Sequence, residues 1–298
     1  NREDAYPDST LTTPAPYFRK TFRINKPVKQ AKAYICGLGF YEMYLNGERV
    51  GDQVLAPAVT NFDRRPLKKM LYFFDDQSNQ RVLYNTFDVT SLVQKAENTV
   101  GVLLGNGWYN QRDRTVEGCM WSDTPRLLCQ LEIEYTDGST ELVVTDDSWK
   151  TTTGPLLHDA IFTGEEYDAR LELDGWNRNG YKDSSWKKAL LVRAPKGSLH
   201  AQLAPHEKII RILQPVSCEQ KDDSTYWYAF PEMISGWAHI KVQGNAGDRI
   251  KLRFVGEEKM ISDKWTSIRC GAVEWNNGNR VLPGTRSAIS KSYPDRSG

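Results

Sequence analysis

Apolar and polar residues take turns along most of this chain. "YFRKTFRI" (17–24) alternates, and "AKAYICGLGFYEMYLNGERVGD" (31–52) follows as two further strand-like runs. Alternation with a period of two marks a half-buried strand, because successive side chains point to opposite faces. Between "YEMYL" and "ERVGD" stand Asn46 and Gly47. That pair between alternating runs predicts a tight hairpin, since a type I′ turn needs positive φ at both central residues. "RVLYNTFDVT" (81–90) is another strand, and "NTVGVLLGNGWY" (98–109) is apolar enough to be a buried central one. "LEIEY" and "ELVVT" flank Asp137-Gly138 and predict a second hairpin. Helical periodicity is almost absent; "DVTSLVQKAEN" has room for a single turn at Ser91–Lys95.

Short strands at regular spacing with Gly, Asp and Asn turns predict an all-β protein: a jelly-roll or β-sandwich domain, then a second, smaller or incomplete β-sandwich. Residues 1–17, with Pro7, Pro14 and Pro16, predict an extended leader. The jelly-roll domain is expected over 18–191, and "VRAPKGS" marks a linker at 192–199. Strands resume over 200–258 in "STYWYAF" and "SGWAHIKVQGNAGDRIKLRF", with Gly247-Asp248 as the last turn. Residues 259–298 lose the alternation and are expected to be an irregular tail. "TDDSWK" (145–150) and "KDSSWK" (182–187) share Asp-x-Ser-Trp-Lys, in which Asp and Ser favour a local turn and Trp anchors it by burial.

Composition narrows the function classes. The 39 basic and 38 acidic residues give a net charge of +1 and are interspersed, so a nucleic-acid partner is not expected. No apolar run approaches the roughly 18 residues of a helical membrane span. Five cysteines at irregular spacing make neither a disulfide framework nor a zinc motif, and Cys36 and Cys129 lie in apolar runs as small core residues. Aromatics at 11% suit strands, and they also suit carbohydrate, whose C–H faces an apolar ring can cover.

No catalytic residue is assigned. Glycoside hydrolysis needs two facing carboxyl groups. Glu166 and Asp168 share a strand face at about 7 Å, but any Glu-x-Asp strand does the same. The four histidines, His158, His200, His206 and His239, adjoin no Gly-x-Ser-x-Gly nucleophile motif. "GLGF" (37–40) lacks the third glycine and the helix of a dinucleotide fingerprint. The better candidate is "GNGWYNQRD" (105–113), where a buried strand ends in glycines. It presents Asn106, Trp108, Tyr109, Asn110 and Arg112, a stacking surface beside amide and guanidinium groups. The competing reading is a structural turn whose aromatics pack back onto the core. No cofactor is required; calcium is considered, with Asp63 in "TNFDRR" (60–65) as its candidate ligand.

Several stretches together resemble a known family. "GLGFYEMYLNGERVGDQVLAPAVTNFDRR", "NTVGVLLGNGWYNQR", "TGEEYDARLELDGWNRNGYKDSSWKKA" and "SGWAHIKVQGNAGDRIKLRF" resemble, in order, the front half of bacterial α-L-rhamnosidases of glycoside hydrolase family 78. The resemblance implies a jelly-roll over 18–190 and the opening of a second β-sandwich after 200. It also implies a parent α-L-rhamnosidase whose catalytic (α/α)6 barrel is absent from this chain. Twelve helices of roughly 11 residues do not fit in the 40 residues after 258. A periplasmic or extracellular location follows from the same resemblance. Some family members bind rhamnose on such a jelly-roll through calcium, with an Asp-Asn pair where this chain reads Asp63-Arg64. Where the family often carries Gly-Gln-Asn, this chain has Pro231-Glu232-Met233 in "YAFPEMISGW".

The expectation is a non-catalytic N-terminal region of a rhamnosidase-like glycoside hydrolase. Its role would be to support the barrel, with a rhamnose-containing glycan as the carbohydrate partner. The alternatives are a self-sufficient L-rhamnose-binding module and a purely structural β-sandwich interaction protein.

Overall fold

This computed structural model describes residues 14–63, 80–110, 123–161, 164–232, 235–240, 244–253 and 265–269, the last group by backbone alone. The first part of the chain runs β1 (Pro16–Ile24), β2 (Val28–Leu38), β3 (Tyr41–Leu45), β4 (Glu48–Arg49), β5 (Gln53–Val54) and β6 (Arg81–Asp88). It continues with β7 (Ala96–Leu104), β8 (Arg126–Tyr135), β9 (Thr140–Val144), β10 (Lys150–Thr153), β11 (Leu156–Ala160), β12 (Gly164–Asp168) and β13 (Lys187–Lys188). After these come β14 (Ser198–Ala201), β15 (Glu207–Lys208), β16 (Ser217–Gln220), β17 (Tyr226–Ala229), β18 (Arg249–Arg253) and β19 (Trp265–Arg269). Helix among the described residues is confined to 3-10 turns at Thr90–Leu92 and Ala169–Leu171, the first inside the segment expected to hold one turn. The protein is all-β.

Two sheets face each other. One has the order β13-β10-β1-β7-β3-β4 and the other β14-β6-β2-β8-β9. Their inner faces interdigitate Phe22, Ile24, Ala33, Ile35, Met43, Val100, Val102, Leu131 and Ile133 into the main core. These are the alternate positions of the sequence pattern, as a sandwich requires.

β7 is central and covered on both sides. Val100, Val102 and Leu104 face the main core, while Leu103 faces a second cluster with Tyr17, Leu156, Tyr167, Trp176 and Trp186. That outer cover is the strap "GWNRNGYKDSSWKKA", which lies across the six-stranded sheet rather than leaving the domain. Gly101 makes room for it: a Cβ there would stand 2.7 Å from Trp176 Cζ3. Arg19, on β1 and 2% exposed, holds the strap by donating to the carbonyls of Trp176 (3.0 Å) and Arg178 (3.2 Å) and by pairing with Asp183. Lys150 reaches the other Asp183 oxygen at 2.6 Å. The two Asp-x-Ser-Trp-Lys copies thus diverge. Asp146 caps its own turn through Ser148 (2.9 Å to the amide), whereas Asp183 is spent on Arg19 and Lys150.

Both predicted hairpins form. Asn46 and Gly47 take φ of 54° and 89°, and the Asn46 amide also cross-links to Asn98 and Thr99 on β7. At the second hairpin only Gly138 has positive φ, at 82°. Gly138 N–H donates to Tyr135 O at 3.0 Å, and Tyr135 N–H to Ser139 O at 2.9 Å. This is a three-residue loop ending in a left-handed glycine, not a two-residue turn. Cys36 and Cys129 are buried and free; neighbouring registers put them on opposite faces of the sheet, and burial pushes both thiols up to about 12.

The structure draws the boundaries differently from the sequence pattern. β1 starts at Pro16, inside the expected leader, because Tyr17 already pairs with Thr152 and Leu103. The expected linker ends in β14, which pairs in parallel with β6. Gln202 then accepts from the amide of Ala58 (3.0 Å) and from Asn85 Nδ2 (3.2 Å), stitching this segment to the sandwich. Of the expected second sandwich, β16 and β17 make an isolated two-stranded sheet. β18 and β19 extend the β11-β12 hairpin, with β19 parallel to β12. The expected irregular tail therefore contributes a strand at Trp265–Arg269. Trp237, His239 and Ile240 form no strand, and His239 is exposed.

Burial pushes the Asp183 carboxyl up, but its bonds to Lys150 and Arg19 outweigh that and hold it below the usual carboxylate range. A depressed native pKa contributes stability that is present above about pH 4 and lost as pH falls further. The Tm should therefore drop on acidification below about pH 4. Asp183→Asn should be less stable at pH 7 and show a smaller acid drop. Arg19→Met should cost about 3 kcal/mol in urea unfolding because it leaves the part-buried Asp183 with Lys150 alone and unpairs the Trp176 and Arg178 carbonyls. Lys29→Ala, which breaks an exposed pair with Glu134, should stay within about 0.5 kcal/mol. Equal costs for the two would show that the strap is not held by this cluster.

Candidate functional site

The loop leaving β7 is shaped by glycines. Gly105 N–H donates to Phe40 O at 2.7 Å. Gly39, at φ 122°, backs so closely on the loop that a Cβ would lie 2.0 Å from Gly105 O. Gly107, at φ 48°, lies against Phe40 N, where a Cβ would be 2.6 Å away. "GLGF" and "GNG" are thus two halves of one backbone-to-backbone contact.

That contact places Asn106, which is 8% exposed. Its amide donates to both carboxylate oxygens of Asp159 at 2.9 Å, and its Nδ2 donates to Asp159 O at 2.9 Å. Its Oδ1 accepts from Asn110 Nδ2 at 2.8 Å. Asn110 Oδ1 is buried and has no hydrogen-bond partner. Tyr109 is buried, edge-on to Phe62 with ring centroids 5.3 Å apart, and lies beneath the Arg126 guanidinium at 5.9 Å. Burial pushes its phenol up to about 12; Arg126 pulls the other way, and Asp123 and Asp63 add to the rise. Trp108 is half-buried. Arg112 and Arg64 lie outside the described residues.

The sequence candidates therefore divide. Tyr109, Phe62, Cys36, Leu38 and Val82 form a third apolar cluster on the outer face of the five-stranded sheet. Asn106 bonds Asp159 on β11, and Asn110 bonds Asn106. Trp108 is the described aromatic of the loop with exposed surface, and the Asn110 carbonyl oxygen is an acceptor with spare capacity.

Asp63 accepts from the amide of Lys196 at 3.2 Å, and Asp123 is paired with Arg126. Calcium takes six to eight oxygens. Among the described residues no three His, Cys, Asp or Glu side chains gather as a metal site. These residues by themselves do not make a calcium cage, and no step here passes through one.

Asp168, one half of the Glu166/Asp168 pair, is buried and held by Arg170 in two bonds of 2.8 and 2.6 Å. The sequence pattern missed a closer pairing: Asp159 and Glu165, both buried, are directly opposite across the β11-β12 hairpin. Only the register reveals this, because the two residues are separated by the turn. Asp159 is occupied with the Asn106 amide, so it holds the loop. A second contact also escaped the sequence: His200 Nε2 lies 2.8 Å from Ser198 Oγ, exposed on β14, and among the described residues no carboxylate is bonded to that histidine.

The class of protein is thus a two-sheet β-sandwich whose β7 loop is clamped by a buried acid, followed by partly paired strands. Residues 26–73 and 74–211 match the model of the α-L-rhamnosidase N-terminal domain, and the chain belongs to that family. An α-L-rhamnosidase of Formosa agariphila is 33% identical over 243 residues, covering 80% of this chain and 24% of that protein. One of Streptomyces avermitilis is 30% identical over 248 residues, covering 82% and 22%. Among solved structures, the α-L-rhamnosidase of Dictyoglomus thermophilum superimposes with a TM-score of 0.76 at 31% identity, over 95% of this chain and 31% of that one. The S. avermitilis α-L-rhamnosidase complexed with L-rhamnose gives 0.81 at 25% identity, over 93% and 26%. The chain spans about a quarter of the length of the curated relatives it matches.

Replacing Asp159 by Ala should release the Asn106 amide and leave it buried and unpaired. A loss of about 2 kcal/mol is expected, with faster hydrogen exchange at Asn106, Tyr109 and Asn110. Unchanged exchange at those amides would show that the glycine contacts alone hold the loop.

Proposed function

We propose that this chain is the non-catalytic N-terminal region of an α-L-rhamnosidase-like glycoside hydrolase. Its β7 loop holds a rhamnose-containing glycan near the hydrolytic part of the parent. The observation that carries the reading is the family match over 26–211 in a chain a quarter as long as its relatives. The buried carboxylates support the non-catalytic part. Asp168 is engaged by Arg170, and Asp159, although opposite Glu165, is engaged by the Asn106 amide.

For sugar binding, Trp108 offers a stacking face and Asn110 Oδ1 a hydrogen-bond acceptor. A buried acceptor without a partner is costly, and a sugar hydroxyl can satisfy it. Tyr109, packed against Phe62 and beneath Arg126, is not available for stacking on the ligand. Calcium is carried as one arm of the test, with Asp63 as its candidate ligand.

The alternative is a self-sufficient rhamnose-binding module. The stitching of Gln202 and β14 onto the five-stranded sheet favours it, because this adds the segment after the strap to the same two-sheet unit that carries the loop.

Titration calorimetry with L-rhamnose should give heat at millimolar sugar. Trp108→Ala should weaken binding roughly tenfold, about 1.4 kcal/mol. An increase on adding calcium would bring Asp63 into the site, and Asp63→Ala should abolish that increase. No heat with or without calcium would leave the region as scaffold only. The purified chain should not hydrolyse an aryl α-L-rhamnoside; turnover by this chain alone would overturn the non-catalytic reading.

A further inference from the structure

Asparagine before glycine is a chemically fragile pair. With no side chain on the glycine, its backbone nitrogen can reach the asparagine side-chain carbonyl carbon. Three such pairs stand among the described residues: Asn46-Gly47, Asn106-Gly107 and Asn179-Gly180. In all three the side-chain amide is pinned at both ends. Asn46 Nδ2 donates to Leu92 O (2.9 Å) and Asn98 Oδ1 (2.8 Å), and its Oδ1 accepts from the Thr99 amide (2.8 Å). Asn106 Nδ2 donates to Asp159 O, and its Oδ1 accepts from Asn110 Nδ2. Asn179 Nδ2 donates to Glu97 O at 2.8 Å, and its Oδ1 accepts from Thr99 Oγ1 at 2.7 Å. A side chain held in this way cannot swing its carbonyl carbon toward the next nitrogen.

The pairs differ in what holds them. Asn46 sits in the β3-β4 hairpin, and Asn106 sits in the clamped loop, where Gly107 backs onto Phe40 N. Asn179 sits on the strap, and both of its bonds cross to β7. Gly180 beside it is exposed at φ 76°, and no described atom lies within 4 Å of where its Cβ would be. Gly47 is covered instead: a Cβ there would stand 2.8 Å from Arg178 Cγ. Local opening costs less than global unfolding, so the strap lifts more often than the sandwich comes apart. When it lifts, Asn179 loses both restraints, while Asn46 keeps its bonds to Leu92, Asn98 and Thr99.

We propose that Asn179 is a site of spontaneous deamidation gated by the strap, and that the modified residue keeps the strap from closing again. With the strap lifted, the Gly180 backbone nitrogen attacks Asn179 Cγ. The new N–Cγ bond closes a cyclic imide as the Cγ–Nδ2 bond breaks, and Nδ2 leaves as ammonia with the Gly180 proton. Water then opens the imide at either carbonyl, leaving aspartate or isoaspartate; nothing is oxidised or reduced. Aspartate lacks the N–H that Glu97 O accepts, and it sets a carboxylate oxygen against that part-buried carbonyl. Isoaspartate lengthens the backbone by a methylene and shifts Arg178 O, one of the acceptors of Arg19.

Peptide mapping by mass spectrometry tests this on the chain incubated at mildly alkaline pH, folded and in urea. In urea all three pairs should convert at similar rates. In the folded chain Asn179 should convert at least about tenfold more slowly than in urea, yet ahead of Asn46 and Asn106. Asp183→Ala, which loosens the strap, should speed Asn179 severalfold and leave Asn106 unchanged. Should that variant not fold, the order of the three sites in the unaltered chain still decides. Asn179→Asp, the product made directly, should raise hydrogen exchange at the Trp176 and Arg178 amides at least about tenfold, and Asn179→Gln, which keeps the amide, should raise it less. Asn179 keeping pace with the urea sample, lagging Asn46 or Asn106, or failing to speed up in a folded Asp183→Ala chain overturns the gating. Unchanged exchange in Asn179→Asp overturns the claim that the modified residue holds the strap open.

Discussion

Burial of β7 on both faces is the constraint from which the rest follows. A central strand with two apolar faces needs a cover on each. The five-stranded sheet supplies one and the strap through Trp176 and Trp186 supplies the other. The strap can lie close because Gly101 has no side chain, and it stays because Arg19, almost fully buried, is satisfied by its carbonyls and by Asp183. A buried guanidinium left without these partners would be strongly destabilising, so the cluster and the strap are conditional on each other.

The same strand aims the candidate site. β7 ends at Leu104, and Gly105 and Gly107 fold the chain back over Gly39 and Phe40. Asp159 then closes on the Asn106 amide from β11. Two-point fixing, by backbone contact on one side and a buried acid on the other, holds the turn that carries Trp108 and Asn110. The segment after Gln202 is different. Its strands are paired only in twos, apart from β18 and β19, which borrow the β12 edge. Among the described residues the buried core is therefore concentrated before residue 208.

The all-β class and both hairpins were legible in the sequence, because alternation and the Asn46-Gly47 pair are local signals. The buried central strand was legible for the same reason: "TVGVLL" is apolar at every position but Thr99 and Gly101. The turn at Gly138 was half legible. Asp-Gly marks a hairpin but does not fix loop length, which the Tyr135–Ser139 bond decides. The strap is rich in Gly, Asn and Ser, which suggest a loop, and nothing local shows that Arg19, more than 150 residues earlier, holds it. Likewise Tyr109 looked available as a sugar platform until Phe62 and Arg126 came to lie against it. The Asp159–Asn106 clamp was invisible, since it depends on the register of a hairpin far from β7. Long-range partners decide the site; short-range patterns decide the strands.

Two aromatic surfaces remain in contention for carbohydrate: the clamped loop with Trp108, and the β16-β17 hairpin with Tyr226, Trp227 and Tyr228 exposed. The account assigns sugar to the first. Backbone amide shifts recorded by NMR while L-rhamnose is added to this chain separate them. The account predicts shifts at Asn106, Trp108 and Asn110, with Tyr226–Tyr228 unmoved. Shifts confined to Tyr226–Tyr228, or none at millimolar sugar, would contradict it.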